Sequence, residues 1–124
     1  IGHRMVEAFT RTFSHTSDSV IIMGSDIPGL TTEILTEAFI SLENNASVIG
    51  PSHDGGYYLI GLRSQNAQQL IKVVFDRIPW STAEVLQTSI QRLAESGYSY
   101  SLLQTLHDID RPEDVHIAER MKLL

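Results

Sequence analysis

The chain has 124 residues, a formal net charge of −6 and ordinary globular composition, with 42% hydrophobic and 19% charged residues: enough for one domain and not for two. The acidic balance excludes a protein that coats nucleic acid, though not one that binds a single nucleotide, because a bound cation reverses the local sign of a site. With no cysteine, disulfides, thiolate catalysis and cysteine-held zinc are excluded, and no apolar run approaches the roughly 20 residues that span a bilayer.

The elements alternate along the chain. The opening residues, Ile1-Gly2-His3-Arg4-Met5, lead into an amphipathic helix rather than a signal segment, so a soluble cytoplasmic protein is expected. Residues 3–14 put Met5, Ala8, Phe9 and Phe13 on one helical stripe. The apolar run at 19–23 reads as a strand buried on both faces, and continuous apolarity favours a parallel sheet. Residues 31–43 carry Ile34, Leu35, Ala38, Phe39 and Leu42 at helical spacing, and Asn44-Asn45 stops them. Val48-Ile49 and residues 56–62 read as strands, and residues 65–73 as a helix. Ser81 with Glu84 fits a capping box opening a helix that Gly97 closes. Residues 98–103 alternate like a marginal strand. Asp110, Pro112 and Glu113 predict the start of a last helix, with Val115, Ala118 and Met121 facing inward. Strands alternating with helices predict a three-layer α/β domain over residues 1–124 with a mostly parallel sheet. Ligands of such sheets bind beyond the carboxyl ends of the strands.

Four loops at those ends could carry chemistry. Asp26 follows the most apolar strand; it is either a hard oxygen ligand for Mg²⁺ or Mn²⁺ or a turn cap before Pro28. Asp108 and Asp110, one residue apart, could meet the same cation; Asp110 also suits an N-cap, whereas Asp108 has no capping duty. In the segment 50–58, Gly55 and Gly56 permit close backbone approach. Bare amides there could hold a phosphate or carboxylate, and Asp54 could ligate or orient a substrate hydroxyl. The alternative is a tight Asp-Gly-Gly hairpin turn. His53 is a conceivable acid or base. Trp80, the only tryptophan, either packs beside a helix start or walls a ligand site.

Gly-Ser-Asp-Ile-Pro-Gly-Leu at 24–30, Gly-Pro-Ser-His-Asp-Gly-Gly-Tyr-Tyr-Leu-Ile-Gly-Leu at 50–62, Trp-Ser-Thr at 80–82 and Asp-Ile-Asp-Arg-Pro-Glu-Asp at 108–114 occur in that order. Together they resemble the glycosyltransferase-A-like, MobA-like transferase family, also called rSAM/selenodomain-associated transferases. The resemblance covers essentially the whole chain. It implies a nucleotide-diphospho-sugar transferase (GT-A, Rossmann-like) fold, of which this chain corresponds to the C-terminal two thirds. A further similarity to the 2-phospholactate guanylyltransferases implies metal binding by Asp26, Asp108 and Asp110 and acceptor binding along Asp54, Gly55 and Gly56; Tyr57 and Trp80 are further candidates for contact with the substrate.

The function so implied is metal-dependent nucleotidyl or glycosyl transfer. The donor would be a nucleoside triphosphate or nucleotide sugar and the acceptor a small molecule, with Asp26 and Asp108 at the catalytic centre. No nucleic-acid polymer or membrane is expected as partner. The family's first strands and its basic nucleotide-cradling loop have no counterpart here, so the alternative is a non-catalytic remnant serving as a fold or oligomerisation module. The strand at 19–23 would then have an open edge, which favours a homo-oligomer through that edge.

Overall fold

A computed structural model describes residues 2–24 and 27–106, together with the backbone of 115–119. Helix α1 (Gly2–Phe13) precedes strand β1 (Val20–Gly24) and helix α2 (Thr32–Ser41). Strands β2 (Ser47–Pro51) and β3 (Tyr57–Leu62), helices α3 (Ala67–Val74) and α4 (Val85–Glu95), and strands β4 (Tyr100–Leu102) and β5 (Val115–Glu119) follow. None of the described helices is long and apolar enough to cross a membrane.

The strands form one sheet in the order β4-β2-β3-β1-β5. The sheet is mixed, not mostly parallel: β2–β4 is the parallel pair, while β2–β3, β3–β1 and β1–β5 are antiparallel. Continuous apolarity reports burial on both faces, not strand direction. Residues of β1, β2 and β3 enter two separate cores. Val20, Ile22, Ile49, Ile60 and Leu62 pack under α1, α3 and α4 with Met5, Phe9, Leu70, Val74 and Leu93. Ile21, Val48, Tyr58 and Leu59 pack under α2 with Ile34, Ala38, Phe39 and Leu42. The result is three layers.

Local signals place several boundaries. Thr31 caps α2, its side chain accepting from the Ile34 amide at 3.2 Å, one of the donors a helix start otherwise leaves unpaired. The Asn45 side chain donates to Ser41 O at 3.1 Å where α2 ends. Gly50 is required by β3: a Cβ there would enter the Tyr58 ring.

Three expectations are corrected. Ser81 does not cap a helix, because it has φ 64 and α4 begins at Val85. Thr82 holds this turn instead, donating to Pro79 O at 2.6 Å and accepting from the Glu84 amide at 3.2 Å. The stretch expected to continue a last helix contains β5, registered antiparallel to β1 from Gly24↔Val115 to Val20↔Glu119. Val115 and Ile117 are β-branched residues at period 2, which suits a strand. β5 also removes the expected open edge. β1 lies between β3 and β5, so the argument for oligomerisation through β1 lapses.

Candidate functional site

β1, β2 and β4 run the same way, so their carboxyl ends share one end of the sheet. There Ser52 bridges Leu106, extending the parallel β2–β4 alignment. A cavity of about 370 Å³ opens at this end. Its walls are the end of β1 (Ile22 to Gly24), the β2–β3 loop with the start of β3, residues 80–83 with Val85, and Met5 of α1.

The loop 52–56 is a compact turn. Asp54 Oδ1 accepts from the Ser52 hydroxyl at 2.7 Å and from the Gly56 amide at 3.1 Å. The Ser52 hydroxyl, with help from backbone amides, holds the Asp54 carboxyl below its ordinary range, although partial burial acts the other way. Gly55 has φ 93, and a Cβ on it would overlap the Ala83 carbonyl oxygen. The Leu86 amide donates to Gly55 O at 2.9 Å. Gly55 is therefore needed for docking of this loop against the lead-in to α4.

That finding corrects the expectation of bare amides. The Gly55 amide donates to Ser52 O at 3.2 Å and the His53 amide to Leu106 O at 3.1 Å; the Gly56 amide serves Asp54. These donors hold the hairpin, and none is free to cradle an anion. Of the two readings of this segment, the hairpin is the observed one.

Trp80 packs against its neighbours and also faces the cavity. Its ring lies 6.1 Å from that of Phe75 and fills the space a Cβ on Gly2 would need, and it also lines the cavity. The turn that carries it is bracketed by Arg77 (φ 50) and Ser81 (φ 64), left-handed residues that are not glycine. Such conformations cost on the order of 1 kcal/mol or more each and persist where surrounding structure imposes them.

Tyr57 and Tyr58 diverge. Tyr57 lines the cavity, but its hydroxyl is buried without a hydrogen-bond partner. Burial drives its pKa far upward, with the nearby Ser89 hydroxyl opposing slightly; Ser89 itself donates to Val74 O at 3.1 Å. The Tyr58 hydroxyl donates to Gln104 O at 2.9 Å, and burial, with the Glu37 charge adding, pushes its pKa up to about 12. Neither hydroxyl is a ready acid or base near neutral pH.

Of the expected site residues, the structure brings Asp54, Gly56, Tyr57 and Trp80 to one cavity, with Gly55 in the docked loop behind it. Asp26, Asp108 and Asp110 lie outside the described residues. Among the described residues, no group of three His, Cys, Asp or Glu side chains is placed to hold a metal ion. Sequence reasoning missed Ser52, Met5 and Met23. A hydroxyl two residues before a turn aspartate was the readable signal for Ser52; nothing local distinguished either methionine from a core residue.

A family profile described as "Uncharacterized protein conserved in bacteria (DUF2064)" matches residues 1–82. No curated protein matches the chain. Among solved structures, the chain is similar to a "putative nucleotide-diphospho-sugar transferase" from Desulfovibrio desulfuricans G20. The identity is 35% and the TM-score 0.78, over 89% of this chain and 46% of that one. The chain thus spans less than half the length of that protein, and its mixed α/β architecture is of the same kind.

Proposed function

The chain belongs to the bacterial DUF2064 family, and from that premise we propose that it carries the acceptor pocket and the metal ligands of a transferase acting on a nucleoside triphosphate or a nucleotide sugar. The finer kinship, with the MobA-like, rSAM/selenodomain-associated transferases, is part of this proposal. Similarity to the Desulfovibrio structure supports the transferase class.

The observation that carries the reading is a shared end of the sheet. Gly24, which precedes Ser25-Asp26, lines the cavity there. Leu106 and Val115, the described residues on either side of Asp108 and Asp110, pair at the same end, with Ser52 and Gly24 respectively. Asp26, Asp108 and Asp110 would hold Mg²⁺ or Mn²⁺, whose preferred donors are hard carboxylate oxygens. A cation so held offsets negative charge on the phosphate groups of the donor. The chain's own contribution is positioning. The ordered Asp54 carboxylate and the Trp80 wall orient a small acceptor in the cavity, and fixed groups of this kind supply much of the rate in transfer reactions.

Thermal unfolding with and without Mn²⁺ tests the metal reading. A ligand that binds the native state raises stability by about 2.7 kcal/mol at a concentration 100 times its Kd, so the wild type is expected to melt higher with Mn²⁺. Asp26→Ala is expected to remove the rise. No rise in the wild type would exclude the metal site.

A further inference from the structure

Among its described lining residues the cavity has aromatic side chains and one charge. Trp80 and Tyr57 line it, Met5 and Met23 add thioethers, and Asp54 is the one charged side chain among its described lining residues. No Lys, Arg or His is among them. The amides of the glycine pair are committed to Ser52 O and Asp54 Oδ1. A phosphate or carboxylate entering here would meet a carboxylate and no compensating donor from the loop. A cation would meet the opposite: a negative charge, an indole, on whose face organic cations bind best, and polarisable sulfur that adapts to apolar shapes. The volume, about 370 Å³, falls in the range of small-molecule sites.

We propose that the cavity is an ammonium pocket, in which Asp54 and Trp80 together select a protonated or quaternary amine carried on a compact apolar body. This deepens the acceptor-pocket reading and rests on it. Asp54 is then a specificity determinant: it admits an amine-bearing acceptor and rejects a phosphorylated or carboxylated one.

The test uses the whole chain without metal or nucleotide, so its outcome is independent of the Mn²⁺ experiment. Phenethylamine, phenethyl alcohol and phenylacetate share one apolar body and differ in charge. Each is titrated against the fluorescence of Trp80, the sole tryptophan, and localised by the amide NMR shifts of Met23 and Gly56. The amine is expected to bind about five-fold or more tighter than the alcohol, the scale of one partly exposed charge pair, and phenylacetate is expected to bind weakest. Asp54→Asn keeps the Oδ1 acceptor and so the turn, and is expected to reduce the amine to the level of the alcohol. Phenylacetate or the alcohol matching the amine in the wild type would overturn the proposal. So would an amine preference that survives in Asp54→Asn, or the absence of any response at Trp80, Met23 and Gly56. A failed Mn²⁺ shift beside intact amine selection would remove the metal reading and leave the pocket standing.

Discussion

At Asp54 one oxygen atom, Oδ1, organises the whole hairpin loop by accepting from Ser52 and Gly56. Because these bonds favour the ionised form, the folded carboxyl titrates below its ordinary value of 3.8. The carboxylate therefore stabilises the turn at neutral pH, and that contribution is lost as the pH falls from about 4 through the lowered value. An acid titration followed at the Gly56 amide is expected to show a midpoint below 3.8. A midpoint at or above the ordinary aspartate value would mean that the Ser52–Asp54 bond does not form in solution. The sequence made Asp54 and its glycines conspicuous, but it did not separate ligand amides from turn amides. That distinction depends on the carbonyls of Ser52 and Leu106 and on the Asp54 side chain, which take the donors.

Between elements, the decisive contact joins the β2–β3 loop to the lead-in of α4. Gly55 and its neighbour Gly56 look equivalent in the sequence and are not equivalent in space. Gly55→Ala places a methyl group in the Ala83 backbone at a left-handed φ and is expected to cost about 2–4 kcal/mol. A Cβ at Gly56 meets Asp54 Oδ1 at 3.4 Å and Ser52 Oγ at 3.5 Å, ordinary contact distances. Gly56→Ala is accordingly expected to cost clearly less. Urea midpoints of the two variants decide it, and equal losses would contradict the docked loop. The capping-box expectation at Ser81 failed for a related reason. Pro79 O captures the Thr82 hydroxyl, which closes a turn where the local pattern alone suggested a helix start.

For the molecule as a whole, the layers and most element positions were readable, because helical stripes such as Met5–Phe9 and apolar strand runs follow directly from burial. Strand direction was less so. One cue was present: an Asp-Gly-Gly turn between adjacent strands cannot join a parallel pair, which needs a crossover of a dozen or more residues. That cue alone fixes β2 and β3 as antiparallel. The partner of β1 was not readable. Residues 115–119 satisfy a strand period as well as a helical one, and pairing with β1 decides between them.

The bond from the Leu86 amide to Gly55 O also has a kinetic meaning. The wall carrying Trp80 is joined to the hairpin loop by this bond outside the sheet, whereas Ile49 and Ile60 pair with each other inside it. The wall is therefore expected to open before the sheet does. Native-state hydrogen exchange is expected to show the Leu86 amide exchanging through a local opening well below the global unfolding free energy, while the amides of Ile49 and Ile60 in the central strands exchange only by global unfolding. Equal protection at all three would mean that the wall and the sheet form one cooperative unit. Otherwise, access to the pocket is governed by how often that wall lifts away, and a bound ligand slows the exchange of Leu86 without altering that of the sheet.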